Sequence, residues 1–139
     1  MGKFKNGNKI VIKSVLIPGP NNSLRTVPGN LEQVSCTGHM GPFATWTVQK
    51  VKKKVVKLIN KKSGKYLRID GAGNLNCGGT GGKWCAFKKD RVSPGVFTFK
   101  ALHHPGAAHY VGIKKKDCLP KNPKTCTGGK FCHFKVIVK

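Results

Sequence analysis

The chain alternates apolar and polar positions over short runs, which is the pattern of β-strands that bury one face. Three such runs, at residues 9–13, 55–59 and 96–100, are each followed after a turn by a second short run, at 23–25, 66–68 or 110–112. Glycine, proline and asparagine punctuate the runs, and no period of 3.6 residues is sustained between them. The pattern predicts an all-β fold with almost no helix.

The same alternation predicts which side chains face the core. The inward positions are expected to be Ile10, Ile12, Leu24, Trp46, Val56, Leu58, Leu67, Phe87, Phe97, Phe99, Val111, Ile113 and Phe134. Because neighbouring side chains on a strand point to opposite faces, Lys13, Lys57, Arg68 and Lys100 are expected to face solvent.

One six-residue pattern, Gly-x-aromatic-(Ala or Cys)-x-aromatic, recurs at residues 41–46, 82–87 and 129–134. Three units of about four short strands each are typical of a β-trefoil, whereas a propeller normally has at least about four units. We therefore expect a single domain over residues 1–139, with twelve short strands in three repeats (8–50, 51–93 and 94–139) and pseudo-threefold symmetry. A seven-stranded sandwich is the alternative, but it does not explain the recurrence.

The charge of the chain is extreme, because the sequence has 27 Lys and Arg residues and only four acidic residues, which gives a net charge of +23. Most of the cations are lysines, which act as mobile point charges and suit a loosely specified polyanion. One cluster with no acidic residue contains Lys50, Lys52, Lys53, Lys54, Lys57, Lys61, Lys62 and Lys65. A second, in which Asp117 is the one acid, contains Lys114, Lys115, Lys116, Lys121, Lys124 and Lys130. Both clusters are candidate polyanion sites, whereas Lys3, Lys5, Lys9, Lys100 and Lys139 are expected to be scattered.

Three segments, GKYLRIDGAGNLN from Gly64, WCAF at 84–87 and YVGIKKKDCLPKNPKTCTGGKFCHF at 110–134, resemble the fibroblast growth factors, which are β-trefoils. The GKYL motif is also similar to that of fascin-like trefoils. The resemblance covers residues 51–135 and implies a heparan-sulfate-binding basic loop that uses Lys114, Lys115, Lys121, Lys124 and Lys130. The growth factors have a receptor-contacting Asn-Tyr pair where this chain has Ser93-Pro94-Gly95-Val96-Phe97, which argues against receptor binding.

The six cysteines, Cys36, Cys77, Cys85, Cys118, Cys126 and Cys132, favour disulfides and hence an extracellular protein. Short bridges from Cys77 to Cys85 and from Cys118 to Cys126 or Cys132 are expected. A zinc site is the alternative, but the spacings are longer than the short loops that zinc sites use. The amino-terminal residues contain no apolar stretch that would act as a signal peptide, so the export route is open.

Catalysis has little support, because the four carboxylates show no spacing that suggests an acid and base pair. We expect a non-enzymatic protein with no cofactor, no metal site and no membrane span. The first hypothesis is binding of sulfated glycosaminoglycan or another acidic polysaccharide. The alternative is a structural matrix protein that self-assembles or condenses mineral anions such as silica or phosphate. Nonspecific nucleic-acid binding and a growth-factor-like receptor ligand come third.

Overall fold

The structure is a computed structural model that describes residues 3–103, 109–120 and 129–139. In these ranges the strands are β1 (Lys9–Ser14), β2 (Ser23–Val27), β3 (Asn30–Gly38), β4 (Trp46–Lys52), β5 (Val55–Asn60), β6 (Tyr66–Ile69), β7 (Leu75–Gly79), β8 (Phe87–Ser93), β9 (Val96–Ala101) and β10 (Phe134–Val138). Single turns of 3-10 helix at Pro42–Ala44, Lys83–Cys85 and Lys130–Cys132 are the helical elements of the described part. The expected all-β fold is confirmed.

Six of the strands close into an antiparallel barrel. β1 pairs with both β4 and β10, and the ring continues through the pairs β4 with β5, β5 with β8, β8 with β9, and β9 with β10. The hairpins β2–β3 and β6–β7 are attached to this barrel by pairing of β1 with β2 and of β5 with β6. This is the expected β-trefoil architecture.

The recurring aromatic residues occupy equivalent positions around the barrel. Each one is the first residue of a barrel strand, follows a single 3-10 turn after one intervening residue, and is fully buried. Each also pairs with the second residue of another barrel strand, in the pairs Trp46 with Ile10, Phe87 with Val56, and Phe134 with Phe97. The pseudo-threefold relation predicted from the sequence is therefore present in the strand register.

The third repeat departs from the expected twelve strands. Its second and third strand positions contain isolated bridges, Lys100 with Tyr110 and Ile113 with Pro120. Pro120 has no N–H to extend a ladder of hydrogen bonds. The chain also turns sharply here, because the N–H of Lys114 donates to the carbonyl of Leu119 at 2.9 Å. Ten strands and two bridges thus represent the twelve positions in the part of the chain that the structure describes.

The core fills the barrel, and all thirteen positions expected to face inward are buried. Phe4, which precedes β1 and was not expected in the core, is only 6% exposed and packs edge-on against Phe97, with ring centroids 5.0 Å apart. The outward positions Lys13, Lys57, Arg68 and Lys100 are partly exposed. The limits proposed for the domain and its repeats stay a prediction.

Candidate polyanion-binding surfaces

The lysine cluster at residues 50–65 is divided between the two ends of β5. Lys50 and Lys52 lie at the end of β4, and the next two lysines form the turn into β5, whereas Lys61, Lys62 and Lys65 follow β5. β5 has 6 residues. It therefore spans about 20 Å at about 3.3 Å per residue. Lys57, between the two groups, donates from Nζ to the carbonyl of Gly81. The cluster is continuous in sequence but is not one surface.

A cleft of about 460 Å³ lies at the end of the barrel where β5 and β9 begin. This basal cleft is lined by Lys3, Phe4, Lys5, Lys50, Lys53, Lys54, Lys89, Asp90, Arg91 and Phe97. Seven of these ten residues are basic and one is acidic. Of the basic residues, Lys50, Lys53 and Lys54 belong to a predicted cluster, but Lys89 and Arg91 were not expected there. The expectation that Lys3 and Lys5 are scattered is wrong, because the segment before β1 folds across the barrel end.

Hydrogen bonds donated by the backbone N–H groups of two lysines fix the walls of the basal cleft. The N–H of Lys50 donates to Oδ1 of Asn6 at 2.9 Å, which ties the segment before β1 to β4. The N–H of Lys89 donates to the carbonyl of Lys54 at 2.8 Å, which ties β8 to the β4–β5 turn. The three chain segments that supply the cations are therefore held together by contacts that do not involve their charges.

Lys89 carries its charge against the aromatic floor of the cleft. Its Nζ lies 4.9 Å from the ring centroid of Phe4 and 5.8 Å from that of Phe97, within the range of cation–π attraction. Partial burial and then the charges of Lys50 and Lys54 lower the pKa of Lys89, and the opposing effect of Asp90 is smaller. The cleft thus concentrates positive charge that its own residues do not neutralise.

The β4–β5 turn has an unusual backbone at Lys54, whose φ of 69° lies in the left-handed region. The equivalent two-residue turn between β8 and β9 is Pro94-Gly95, where glycine adopts φ of 77°. Glycine has no Cβ and adopts this conformation without strain, whereas an L-residue does not. The first of these turns therefore has a lysine where the backbone favours glycine.

The basic loop, residues 114–130, presents the second predicted cluster. Lys114, Lys115, Lys116 and Lys130 are exposed, whereas Lys121 and Lys124 lie outside the described residues. The two described parts of the loop meet where the N–H of Ile113 donates to the carbonyl of Phe131 at 3.0 Å. The structure thus brings Lys130 to the same side of the molecule as the run that begins at Lys114.

Asp117 reduces the available charge of the basic loop. The N–H of Leu119 donates to its Oδ1 at 3.1 Å, and the Nζ of Lys114 lies 3.1 Å from its Oδ2. The hydrogen bond from Leu119 and then the contacts with Lys114 lower the pKa of Asp117. Lys115, Lys116 and Lys130 are consequently the loop lysines best placed to meet an external anion.

The basic loop and the basal cleft are built from different residues. The loop leads into Phe134, which pairs with Ser14 at the end of β1 and with Phe97 of the cleft lining. The lining of the cleft includes none of the described lysines of the loop. The two groups of cations are therefore distinct sets of side chains.

The predicted short disulfides are wrong, because Cys36, Cys77, Cys85 and Cys118 are free thiols. The Cys77 thiol is directed to the carbonyl of Lys65 at 3.5 Å, whereas the Cys85 sulfur lies 2.5 Å from the position that a Cβ on Gly79 would take.

The cysteines of the basic loop are also close in sequence without forming the predicted bridge. Cys118 packs beside Cys36, and its carbonyl accepts the N–H of Cys36 at 2.8 Å. Since Cys118 is free, it forms no bridge to Cys132, which is buried, or to Cys126, which lies outside the described residues.

Two further properties concern only the part of the chain that the structure describes. Three or more His, Cys, Asp or Glu residues do not come together there as a possible metal site. Its helical turns are also too short to cross a membrane.

Comparison with known families agrees with this geometry. The family described as fibroblast growth factor matches residues 26–135, which is well over half of the chain and includes both the β4–β5 turn and the basic loop. No individual curated protein matches the chain. The match begins within β2, so the resemblance reaches further toward the amino terminus than residues 51–135. With the β-trefoil fold, the extent of this match shows that the chain belongs to the fibroblast growth factor family.

Proposed function

We propose that this protein is a secreted, non-enzymatic growth-factor-like trefoil that binds sulfated glycosaminoglycan through its basic loop. The family to which it belongs consists of non-enzymatic signalling proteins that bind heparan sulfate. The observation that carries the proposal for this chain is the exposure of Lys115, Lys116 and Lys130 in the matched region, with Asp117 engaged by Lys114. Ammonium groups of this kind bind sulfate as point charges without requiring one orientation.

The proposal of an extracellular location rests on the family, whose members are mostly secreted. The disulfides that the sequence predicted do not support it. The free thiols are compatible with an oxidising compartment when they are inaccessible. Cys36, Cys77 and Cys85 are buried, and burial raises the pKa of both Cys36 and Cys77 to about 12. Because the thiolate is the reactive form, Cys36 and Cys77 are protected against oxidation at neutral pH, and Cys85 is shielded by its burial.

A receptor ligand is the second candidate, and family membership is the observation in its favour. Ser93 and the β8–β9 turn, Pro94-Gly95, still lack the Asn-Tyr pair that the resemblance associates with receptor contact. The mineral-matrix role, self-assembly and nucleic-acid binding have no supporting observation in the described residues.

The proposal is tested on immobilised heparin with two variants of equal charge. The loop variant replaces Lys115, Lys116 and Lys130 by Gln, and the control replaces Lys9, Lys88 and Lys135, which are exposed lysines on three different barrel strands. Counterion release makes the affinity for a polyanion depend on the number of cations in contact with it. The loop variant is expected to elute at clearly lower salt than the parent, and the control close to the parent. Equal shifts of the two variants would reject the loop as the binding site.

A further inference from the structure

We infer that the basal cleft is a second binding site for sulfated saccharide, separate from the basic loop. The choice of sulfated saccharide as the ligand rests on the proposed function. The cleft is lined by seven basic residues and one acidic residue, drawn from the segment before β1, the β4–β5 hairpin and β8. These segments are far apart in the sequence, so their convergence is a property of the fold. The match to the family does not include Lys3 and Lys5, which precede residue 26.

The cations of the cleft form no ion pair with a carboxylate of the described residues, although the Nζ of Lys3 donates to the carbonyl of Val136 at 3.0 Å. Among the described residues, the ion pair within 4.0 Å is that of Lys114 with Asp117 in the basic loop, so Asp90 forms none with its basic neighbours. Partial burial is the largest cause of the lowered pKa of Lys89, and repulsion from Lys50 and Lys54 lowers it further. An anion bound between these side chains would relieve that repulsion, which is the condition for favourable binding.

The backbone holds this arrangement at a cost. Lys54 occupies a left-handed conformation that glycine occupies in the equivalent β8–β9 turn. Strained backbone positions that persist are often part of a functional site. The walls are fixed by the hydrogen bonds of Lys50 with Asn6 and of Lys89 with Lys54, so the segments that carry the charges are held together before any ligand arrives.

The size and chemistry of the cleft favour a saccharide over a single inorganic ion or a single-stranded nucleic acid. Its volume of about 460 Å³ lies within the range of about 300–1,000 Å³ for small-molecule sites, which exceeds the need of one inorganic ion. Single-stranded nucleic acids are held largely by bases stacked on exposed aromatic rings. Phe4 and Phe97 are only 6% and 8% exposed, so they offer no such platform. A sulfated saccharide needs only the cations.

The test is calorimetric titration of the full chain with a heparin tetrasaccharide, with variants matched in charge and exposure. The cleft variant replaces Lys5, Lys50 and Lys53 by Gln; the loop and control variants are those defined above, and all nine positions are exposed. The parent and control are expected to bind two tetrasaccharides. The cleft variant is expected to bind one, with affinity at the cleft reduced at least about tenfold through the lost contacts.

A local measurement separates the two sites. After reductive ¹³C-methylation, which keeps the lysine charges, the Lys89 resonance is expected to shift when the tetrasaccharide is added to the loop variant, because an anion bound in the cleft changes the surroundings of the Lys89 ammonium group. If the cleft variant still binds two tetrasaccharides, or the Lys89 resonance stays fixed, the inference is overturned. If the loop variant still binds two and the cleft variant one, the cleft stands and the basic-loop proposal fails.

Discussion

The backbone strain at Lys54 predicts that two glycine variants of the β4–β5 turn will differ in stability but bind heparin with similar affinity. Replacing Lys54 by Gly removes the left-handed penalty of an L-residue, roughly 1–2 kcal/mol, but adds the backbone entropy cost of glycine, roughly 0.5–1 kcal/mol. Lys53, the other residue of the same turn, has no positive φ. Its replacement by Gly therefore adds the entropy cost without relieving strain. Both changes remove one cation from the lining of the basal cleft.

The comparison of the two variants isolates the strain, because charge loss and glycine entropy are common to both. We expect Lys54→Gly to be more stable than Lys53→Gly by about 1–2 kcal/mol in the free energy of unfolding. With a urea m-value of about 2 kcal/mol/M, the unfolding midpoints would differ by about 0.5–1 M. Urea titrations followed by tryptophan fluorescence measure this directly, since Trp46 is fully buried.

Heparin affinity supplies the second half of the prediction. Both variants are expected to bind heparin more weakly than the parent by similar factors, although one is stabilised and the other is not. Equal unfolding midpoints for the two variants would refute the strain argument. Full heparin affinity in both would show that the turn does not contribute to binding.

Two further predictions concern packing and thiol reactivity. Gly79→Ala is expected to destabilise the fold by about 1–3 kcal/mol, because the new Cβ would lie 2.5 Å from the Cys85 sulfur, whereas Gly82→Ala, with nothing within 4 Å, should melt close to the parent in thermal unfolding. In iodoacetamide labelling of the native protein at pH 8, mass spectrometry should find Cys118 modified before Cys36 and Cys77, because burial raises the pKa of both of the latter to about 12. Equal rates for the three thiols would contradict this assignment.

The sequence was sufficient to predict the trefoil because its signals are local or periodic. The side chains of a strand alternate strictly, so positions such as Ile10 and Ile12 report burial directly. The recurrence that ends at Trp46, Phe87 and Phe134 reports three equivalent turns into the barrel. Neither signal depends on knowing which segments are neighbours in space.

The candidate sites were predicted less completely, because they depend on such neighbours. Lys3 lines the basal cleft beside Lys89, but no periodic pattern connects the segment before β1 with β8. Conversely, Lys50 and Lys65 belong to one run of lysines and are separated by the length of β5. The spacing of cysteines likewise predicts proximity along the chain but not the direction of each thiol.

The position of β1 has a practical consequence for work with fragments. β1 is the strand that joins β4 to β10, yet it lies wholly outside residues 26–135. A fragment trimmed to that range would lose β1 and most of β10, leaving β4 and β9 as unpaired edges beside an opened apolar interior. Exposed edge strands recruit other chains, so such a fragment is expected to aggregate. Expression and fusion boundaries should therefore retain the segment from Lys3 onward, which keeps the barrel closed and Phe4 in its core.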